Sequence, residues 1–214
     1  MASPGLPFKM IHLQVHSLTK RYGNNLVLNG LSFEAAAPVI GIAGENGSGK
    51  STLLKCLAGL LKPDSGRILW ELNDQKPDRD VLKKSIGFLA PYVQLYEELT
   101  VYENLEFIVK LRNQPYTEDI HDLLNSLDAS PFAHSQFGSL STGQQQRAKL
   151  AAALVHRPQI LMMDEPGSNL DQKGKKTIHE IVDRYRLHGS MTFIASNLKQ
   201  ELDLCDQVIE LNNI

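Results

Sequence analysis

The sequence predicts an α/β fold: a mainly parallel sheet core, an antiparallel β region beside it, and a helical insert. Val39-Ile40-Gly41-Ile42 and Ile160-Leu161-Met162-Met163 are short continuous apolar runs, the pattern of strands covered on both faces as in a parallel sheet. Ile11, Leu13 and Val15 alternate with polar residues, as do Leu31 and Phe33, which is how half-buried antiparallel strands read. Between about Leu95 and Phe137 the apolar residues instead recur at helical spacing.

In chain order, Gly23-Asn24-Asn25 is turn chemistry joining the two alternating strands. After the buried strand at 39–42, Leu53, Leu54, Leu57, Leu60 and Leu61 mark a helix over about 52–60. Pro63-Asp64-Ser65-Gly66 turns the chain into a strand, Gly66-Arg67-Ile68-Leu69-Trp70-Glu71-Leu72, and Ile86-Gly87-Phe88-Leu89 is a further buried strand. Thr100 with Glu103 forms a capping box, and Val101, Leu105, Ile108 and Leu111 or Arg112 share one helical face until Pro115. Thr117, Glu118 and Asp119 open a second insert helix carrying Ile120, Leu123, Leu124 and Leu127, ended by Pro131. A helix over 148–155 stops near Pro158 and precedes the 160–163 strand. A helix with Ile178, Ile181, Val182 and Tyr185 follows, with Gly189 as its stop, and strands at 191–195 and 208–211 close the chain. The reading is one domain over 1–214, with a core at 11–90 and 138–214 and a helical subdomain at about 95–137.

At 214 residues the chain can bury a sizeable core. Its net charge of −2, with acidic and basic residues mixed along the chain, gives no electrostatic footprint for a nucleic acid, so none is expected as partner. Cys56 and Cys205 lie far apart in sequence and read as reduced thiols of a cytoplasmic protein. Pro4 and Pro7 interrupt the first ten residues, where no secretory signal is visible, and no apolar run approaches the length of a bilayer crossing. Work at a membrane would have to go through a partner.

The chemistry centres on Gly44-Glu45-Asn46-Gly47-Ser48-Gly49-Lys50-Ser51-Thr52, which fits the phosphate-loop pattern G-x-x-x-x-G-K-[ST] between a buried strand and a helix. Glycines let successive N–H groups turn inward onto anionic oxygens. Lys50 supplies a mobile charge for the outer phosphates, Ser51 offers a hydroxyl to magnesium, and the helix beyond presents its positive end. The 160–163 strand delivers Asp164 and Glu165 at its carboxyl end. There Asp164 suits a magnesium ion and Glu165 a general base toward water, although adjacent carboxylates also suit a solvated loop start. Tyr22 is a candidate for stacking on an adenine ring, and equally for covering a sheet edge.

Leu140-Ser141-Thr142-Gly143-Gln144-Gln145-Gln146-Arg147, ahead of that strand, is by itself a polar helix start. Taken with the loop and the carboxylates, the sequence resembles the ATP-binding cassette (ABC) ATPases, the nucleotide-binding subunits of ABC transporters. Their Leu-Ser-Gly-Gly-Gln-Gln signature stands here as 140–145 with Thr142 in the first glycine's place, Ser168-Asn169-Leu170-Asp171 looks like their D-loop, and Tyr22 occupies the adenine-stacking position. The resemblance implies a P-loop NTPase of the ABC type with ATP and Mg2+ as cofactors. It implies a second ABC ATPase subunit, identical or not, and a separate integral membrane permease that holds the chain at the inner face of the cell membrane. It also implies that Ser141, Thr142, Gly143, Gln144 and Asp171 serve a nucleotide bound by the other subunit. Two further positions depart from the family pattern: Pro91 stands where a glutamine begins the Q-loop, with Gln94 three residues on, and Asn197 stands where the family has its switch histidine. Asparagine donates a hydrogen bond but carries no positive charge. The expectation is therefore a slow Mg-dependent ATPase with Glu165 and Asn197 as catalytic residues. Exporter type is expected because Gly66-Arg67-Ile68-Leu69-Trp70 is similar to a segment of haem-exporter ATPases, although Trp70 is equally a packed edge residue. A soluble ABC ATPase in cofactor assembly or remodelling, or a regulatory subunit that scarcely hydrolyses ATP, are the alternatives.

Overall fold

The computed structural model describes residues 11–112 and 120–211. β1 (Ile11–Tyr22) and β2 (Asn25–Ala35) form an antiparallel hairpin in which Tyr22 pairs with Asn25 across the predicted turn. β3 (Val39–Ala43) leads into α1 (Lys50–Leu57), and β4 (Ser65–Leu72) returns antiparallel to β1, giving a three-stranded sheet of order β2-β1-β4. Then follow α2 (Arg79–Ser85), β5 (Ile86–Leu89), α3 (Val101–Leu111), α4 (Ile120–Ser126), α5 (Thr142–Leu154), β6 (Ile160–Asp164), α6 (Gln172–Leu187), β7 (Met191–Ser196), α7 (Lys199–Leu202) and β8 (Gln207–Glu210). The second sheet has order β5-β6-β7-β3-β8, and all its pairings are parallel.

Alternate residues of the parallel strands enter two different cores, which is why these strands are apolar at every position. Ile40, Ile42, Met162 and Phe193 pack with α1 and with Leu13, Val15 and Trp70 of the antiparallel sheet. Val39, Leu161, Met163 and Ile194 pack with α5 and α6 and also with Val101, Leu105, Leu124, Phe132 and Phe137 of the helical insert. The insert thus shares its core with one face of the parallel sheet. Trp70 is a core residue, 5% exposed, edge-on to Phe193 and donating its indole N–H to the Leu57 carbonyl at 3.1 Å. Both cysteines are free, and burial pushes the Cys56 thiol up to about 11.

Several boundaries differ from expectation. α1 stops at Leu57 because Gly59 turns the chain with φ +67, so Leu60 lies beyond the helix and is 61% exposed. α4 ends at Ser126, where Asp128 takes φ +52 and Ala129 N–H closes on the Leu124 carbonyl, while Pro131 sits in a separate 3-10 turn. α5 begins at Thr142, capped by Ser141, so the polar start read at 140–147 and the helix over 148–155 are one element. The helix opening expected at Thr117, Glu118 and Asp119, and the stop at Pro115, lie outside the described residues.

Candidate nucleotide site

Strand register gathers the candidate residues at one edge. Asp164 pairs with Ala195, and Ala43 with Ser196, so β3, β6 and β7 end side by side and release the Gly44–Gly49 loop, Glu165 and Asn197 at the same carboxyl rim. In an open parallel sheet this rim is where ligands sit.

The loop is wrapped around its lysine. Lys50 is 6% exposed, and its ammonium donates to the Gly44 and Glu45 carbonyls at 2.7 and 2.8 Å. Gly49 caps α1 with φ +99 and lies against β2, where a Cβ would stand 2.9 Å from Val27 Cγ1 and 3.0 Å from the Val27 carbonyl. Only glycine fits both the conformation and the space. Ser48 Oγ is buried with no partner, while Ser51 and Thr52 occupy the first turn of α1. An open cavity of about 600 Å³ borders the loop at Gly44, Glu45 and Asn46, with Asn197 in its wall.

Asp164 is 2% exposed, and neither carboxylate oxygen has a hydrogen-bond partner. A buried carboxylate without donors is costly, and a bound cation is the group that removes that cost. Glu165 follows in the left-handed region, φ +50, with its N–H held by the Ala195 carbonyl at 2.9 Å. A non-glycine residue kept there stores strain, as at many reactive positions. Asn197 reaches the phosphate loop, its Nδ2 donating to Asn46 Oδ1 at 3.3 Å. His188 is engaged at the end of α6, with Nδ1 2.6 Å from the Arg184 carbonyl.

Sequence reasoning missed Tyr92. Its ring lies under the Lys55 ammonium, 3.7 Å from the centroid, and its loop is pinned by Lys149, which donates to the Pro91 carbonyl at 3.0 Å. Burial first, then the Asp164 carboxylate beside it, hold the Tyr92 hydroxyl above its ordinary range. The hydroxyl stands near Asp164 but short of hydrogen-bond geometry, since both Asp164 oxygens remain unpartnered. Gln94, the side chain considered from the sequence, is exposed. The available signal was an aromatic directly after the proline that replaces the glutamine. Tyr22 ends β1 half-exposed, with Lys20 Nζ 5.7 Å from its ring centroid, leaving one ring face for a flat ligand.

The second cluster faces outward. Ser141 caps the 13-residue helix α5: its N–H donates to Gln144 Oε1 at 2.9 Å, and Gln144 N–H donates back to Ser141 Oγ at 3.4 Å. Ser141 and Thr142 are exposed, with the side chain of Thr142 on the solvent side, and Gly143 is partly so. Asp171 serves its own chain here, capping α6 through Gly174 N–H at 2.8 Å and pairing with Arg147 at 3.3 Å. The Gly174 N–H above all, then Arg147, holds the Asp171 carboxyl below its usual range.

Residues 28–168, spanning the phosphate loop, the signature helix and both carboxylates, match the family described as ABC transporter. The chain belongs to that family. The uncharacterized ABC transporter ATP-binding protein YybJ of Bacillus subtilis is 30% identical over 204 residues, covering 94% of this chain and 93% of that one. YxlF of the same organism, with the same description, is 34% identical over 205 residues, covering 94% and 68%. The sulfate/thiosulfate import ATP-binding protein CysA of Synechocystis is 30% identical over 206 residues, covering 93% of this chain and 58% of that protein, so this chain spans little more than half of it. Among solved structures, the dimeric structure of MJ0796, a bacterial ABC transporter cassette, superposes with a TM-score of 0.83 at 25% identity and 94% coverage of each chain. The cbiO1 protein from Clostridium perfringens, part of the ABC transporter complex cbiONQ, does so with 0.75 at 29% identity, covering 94% and 84%. The fold is the ATP-binding cassette read from the sequence, and the family is one of ATP-binding subunits of transporters. No helix among the described residues is long and apolar enough to cross a membrane.

Proposed function

We propose that this chain is the ATP-hydrolysing subunit of an ABC transporter of exporter type, working as a dimer docked on a separate membrane permease at the inner face of the cell membrane. The observation that carries this is the division of labour between two separated groups. A basic loop and a buried, unpartnered Asp164 meet at the sheet rim, while the capped N-terminus of α5 is turned to solvent. An ATP held by the loop presents its far phosphate outward, and a helix N-terminus from a neighbouring subunit is the matching anion site. Ser141 and Gly143 would meet it with a hydroxyl and backbone N–H groups, so that ATP joins two subunits and hydrolysis parts them.

Within one subunit, Lys50 leaves its two carbonyls for the phosphates, Ser51 and Asp164 hold the magnesium ion, and Tyr22 stacks on the base. Magnesium, when bound, spreads the charge of the phosphate oxygens and so eases attack at phosphorus. Glu165 takes the proton of the attacking water, and Asn197 donates a neutral hydrogen bond to the outer phosphate. Without a histidine's charge at 197, turnover is slow. Tyr92 brings a hydroxyl to the Asp164 side of the metal, where Pro91 has none to offer.

The experiment is a set of two variants of the full chain. Lys50→Ala is expected to lose ATP binding. Glu165→Gln is expected to bind ATP, stop hydrolysing it and elute as a dimer in Mg-ATP; a monomer at saturating nucleotide refutes the arrangement. Export is the direction proposed from the resemblance of the strand at 66–70 to haem-exporter ATPases. Uptake by the chain reconstituted with its co-purified permease would reverse it.

A further inference from the structure

Glu201 is a buried carboxylate that none of the chemistry above uses. It sits on α7, which starts two residues after Asn197, and it is 8% exposed. Its Oε1 accepts the Gly167 N–H at 2.9 Å in a buried bond, while Oε2 has no partner. Ser168 Oγ, on the adjoining residue, is also buried and unpartnered. Such a group is costly to keep in a protein interior, and a merely space-filling position is served better by an apolar side chain.

Gly167 is cut to fit it. A Cβ on Gly167 would overlap Glu201 Oε1, so any side chain there would push the carboxylate out of its present place. Gly167 lies two residues beyond Glu165 and two before Asn169, whose carbonyl stands 3.5 Å from where a Cβ of Gly143 would be. The turn at 165–169 therefore touches the signature helix on one side and Glu201 on the other. Asn197, just ahead of α7, holds the phosphate loop through Asn46.

We propose that Glu201 is a positioning residue that locks the turn carrying Glu165 and the D-loop to the segment carrying Asn197, so that the two move as one when the outer phosphate is engaged. The proposal rests on the ATPase reading above. In this role Glu201 acts by fixing where Gly167 stands relative to Asn197.

The test uses the full chain with Glu201→Ala, Glu201→Gln, Gly167→Ala and the Gly167→Ala/Glu201→Ala pair. Expected for Glu201→Ala is a tenfold or greater fall in kcat with KM and ATP affinity changed less than threefold. Glu201→Gln, which keeps an oxygen for Gly167 N–H, should recover to within threefold of the parent. Gly167→Ala should resemble Glu201→Ala, and the pair should be no worse than either alone because both changes break one contact. Hydrogen exchange supplies a readout independent of turnover. In the parent, a non-hydrolysable ATP analogue should protect 166–170 and 197–203 together, and in Glu201→Ala only the second segment should respond, with the Gly167 amide exchanging at least tenfold faster even without nucleotide. Parent-like kcat in Glu201→Ala, multiplying losses in the pair, or joint protection surviving in Glu201→Ala would each overturn the proposal. Failure of the parent to bind ATP would instead remove the ATPase reading, and the Gly167 amide in nucleotide-free protein would still decide whether Glu201 holds the turn.

Discussion

His156 makes the stability of this cassette dependent on pH in a way that can be worked out from its surroundings. The ring is 6% exposed, with Nε2 3.1 Å from the Ile86 carbonyl and Nδ1 unpartnered. Burial first, and then the Arg112 guanidinium, which donates to the same carbonyl at 3.3 Å, push its pKa down to about 4 from 6.5, against a smaller opposing pull from the Ile86 carbonyl. The unfolded chain takes up this proton first as pH falls. Stability is therefore untouched above pH 6.5, declines between 6.5 and 4, and flattens below. Between pH 7.5 and pH 5 the loss from this one group is about 2 kcal/mol, out of about 3 kcal/mol for the full displacement. Urea unfolding of the parent and of His156→Gln at both pH values isolates it, because every carboxylate contributes equally to the two proteins. The variant should lose about 2 kcal/mol less on acidification. Equal losses would falsify the claim that His156 is held neutral at this junction.

Three further outcomes follow from the site. Gly49→Ala, which forces a Cβ against Val27 at φ +99, should cost about 1–3 kcal/mol in urea unfolding and weaken ATP binding at least tenfold; retained affinity would mean the loop is not held by that approach. Asn197→His, by giving the outer phosphate a charged donor, should raise kcat about tenfold, the difference between neutral and charge-assisted hydrogen bonds, and Asn197→Ala should lower it; parent-like rates in both would remove the sensor role. Tyr92→Phe keeps the ring under Lys55 and deletes the hydroxyl, so the Mg2+ concentration for half-maximal turnover should rise several-fold while Gln94→Ala leaves it unchanged; the opposite pattern would return the role to Gln94.

What was legible in the sequence was whatever repeats a strong local pattern. The parallel strands show as unbroken apolar runs because both faces are covered, and the Thr100–Glu103 capping box closes as read, with Thr100 N–H on Glu103 Oε2 at 2.8 Å and Glu103 N–H on Thr100 Oγ1 at 3.1 Å. α2 escaped because it buries no side chain and so has no periodic face; its one signal was Asp78, whose carboxylate accepts from Asp80 and Val81 N–H. The first turns of α5 show in the sequence only as a polar start, because Thr142 to Arg147 carry no apolar side chain, and Gln146 is buried there without one. Tyr92 and Glu201 owe their places to contacts with Lys55 and Gly167, distant in sequence, and no local spacing encodes such meetings.

The helix α5 has one end in solvent and the other deep in the protein. Ser141 stands open at its start, and Lys149, 7% exposed, grips the Pro91 carbonyl beside Tyr92. At ~1.5 Å per residue the two are roughly 12 Å apart along a single rigid rod. A shift of Ser141 along the helix axis would be carried by the same rod to Lys149 and the Pro91 carbonyl, which makes the exposed cap and the loop bearing Tyr92 mechanically one piece.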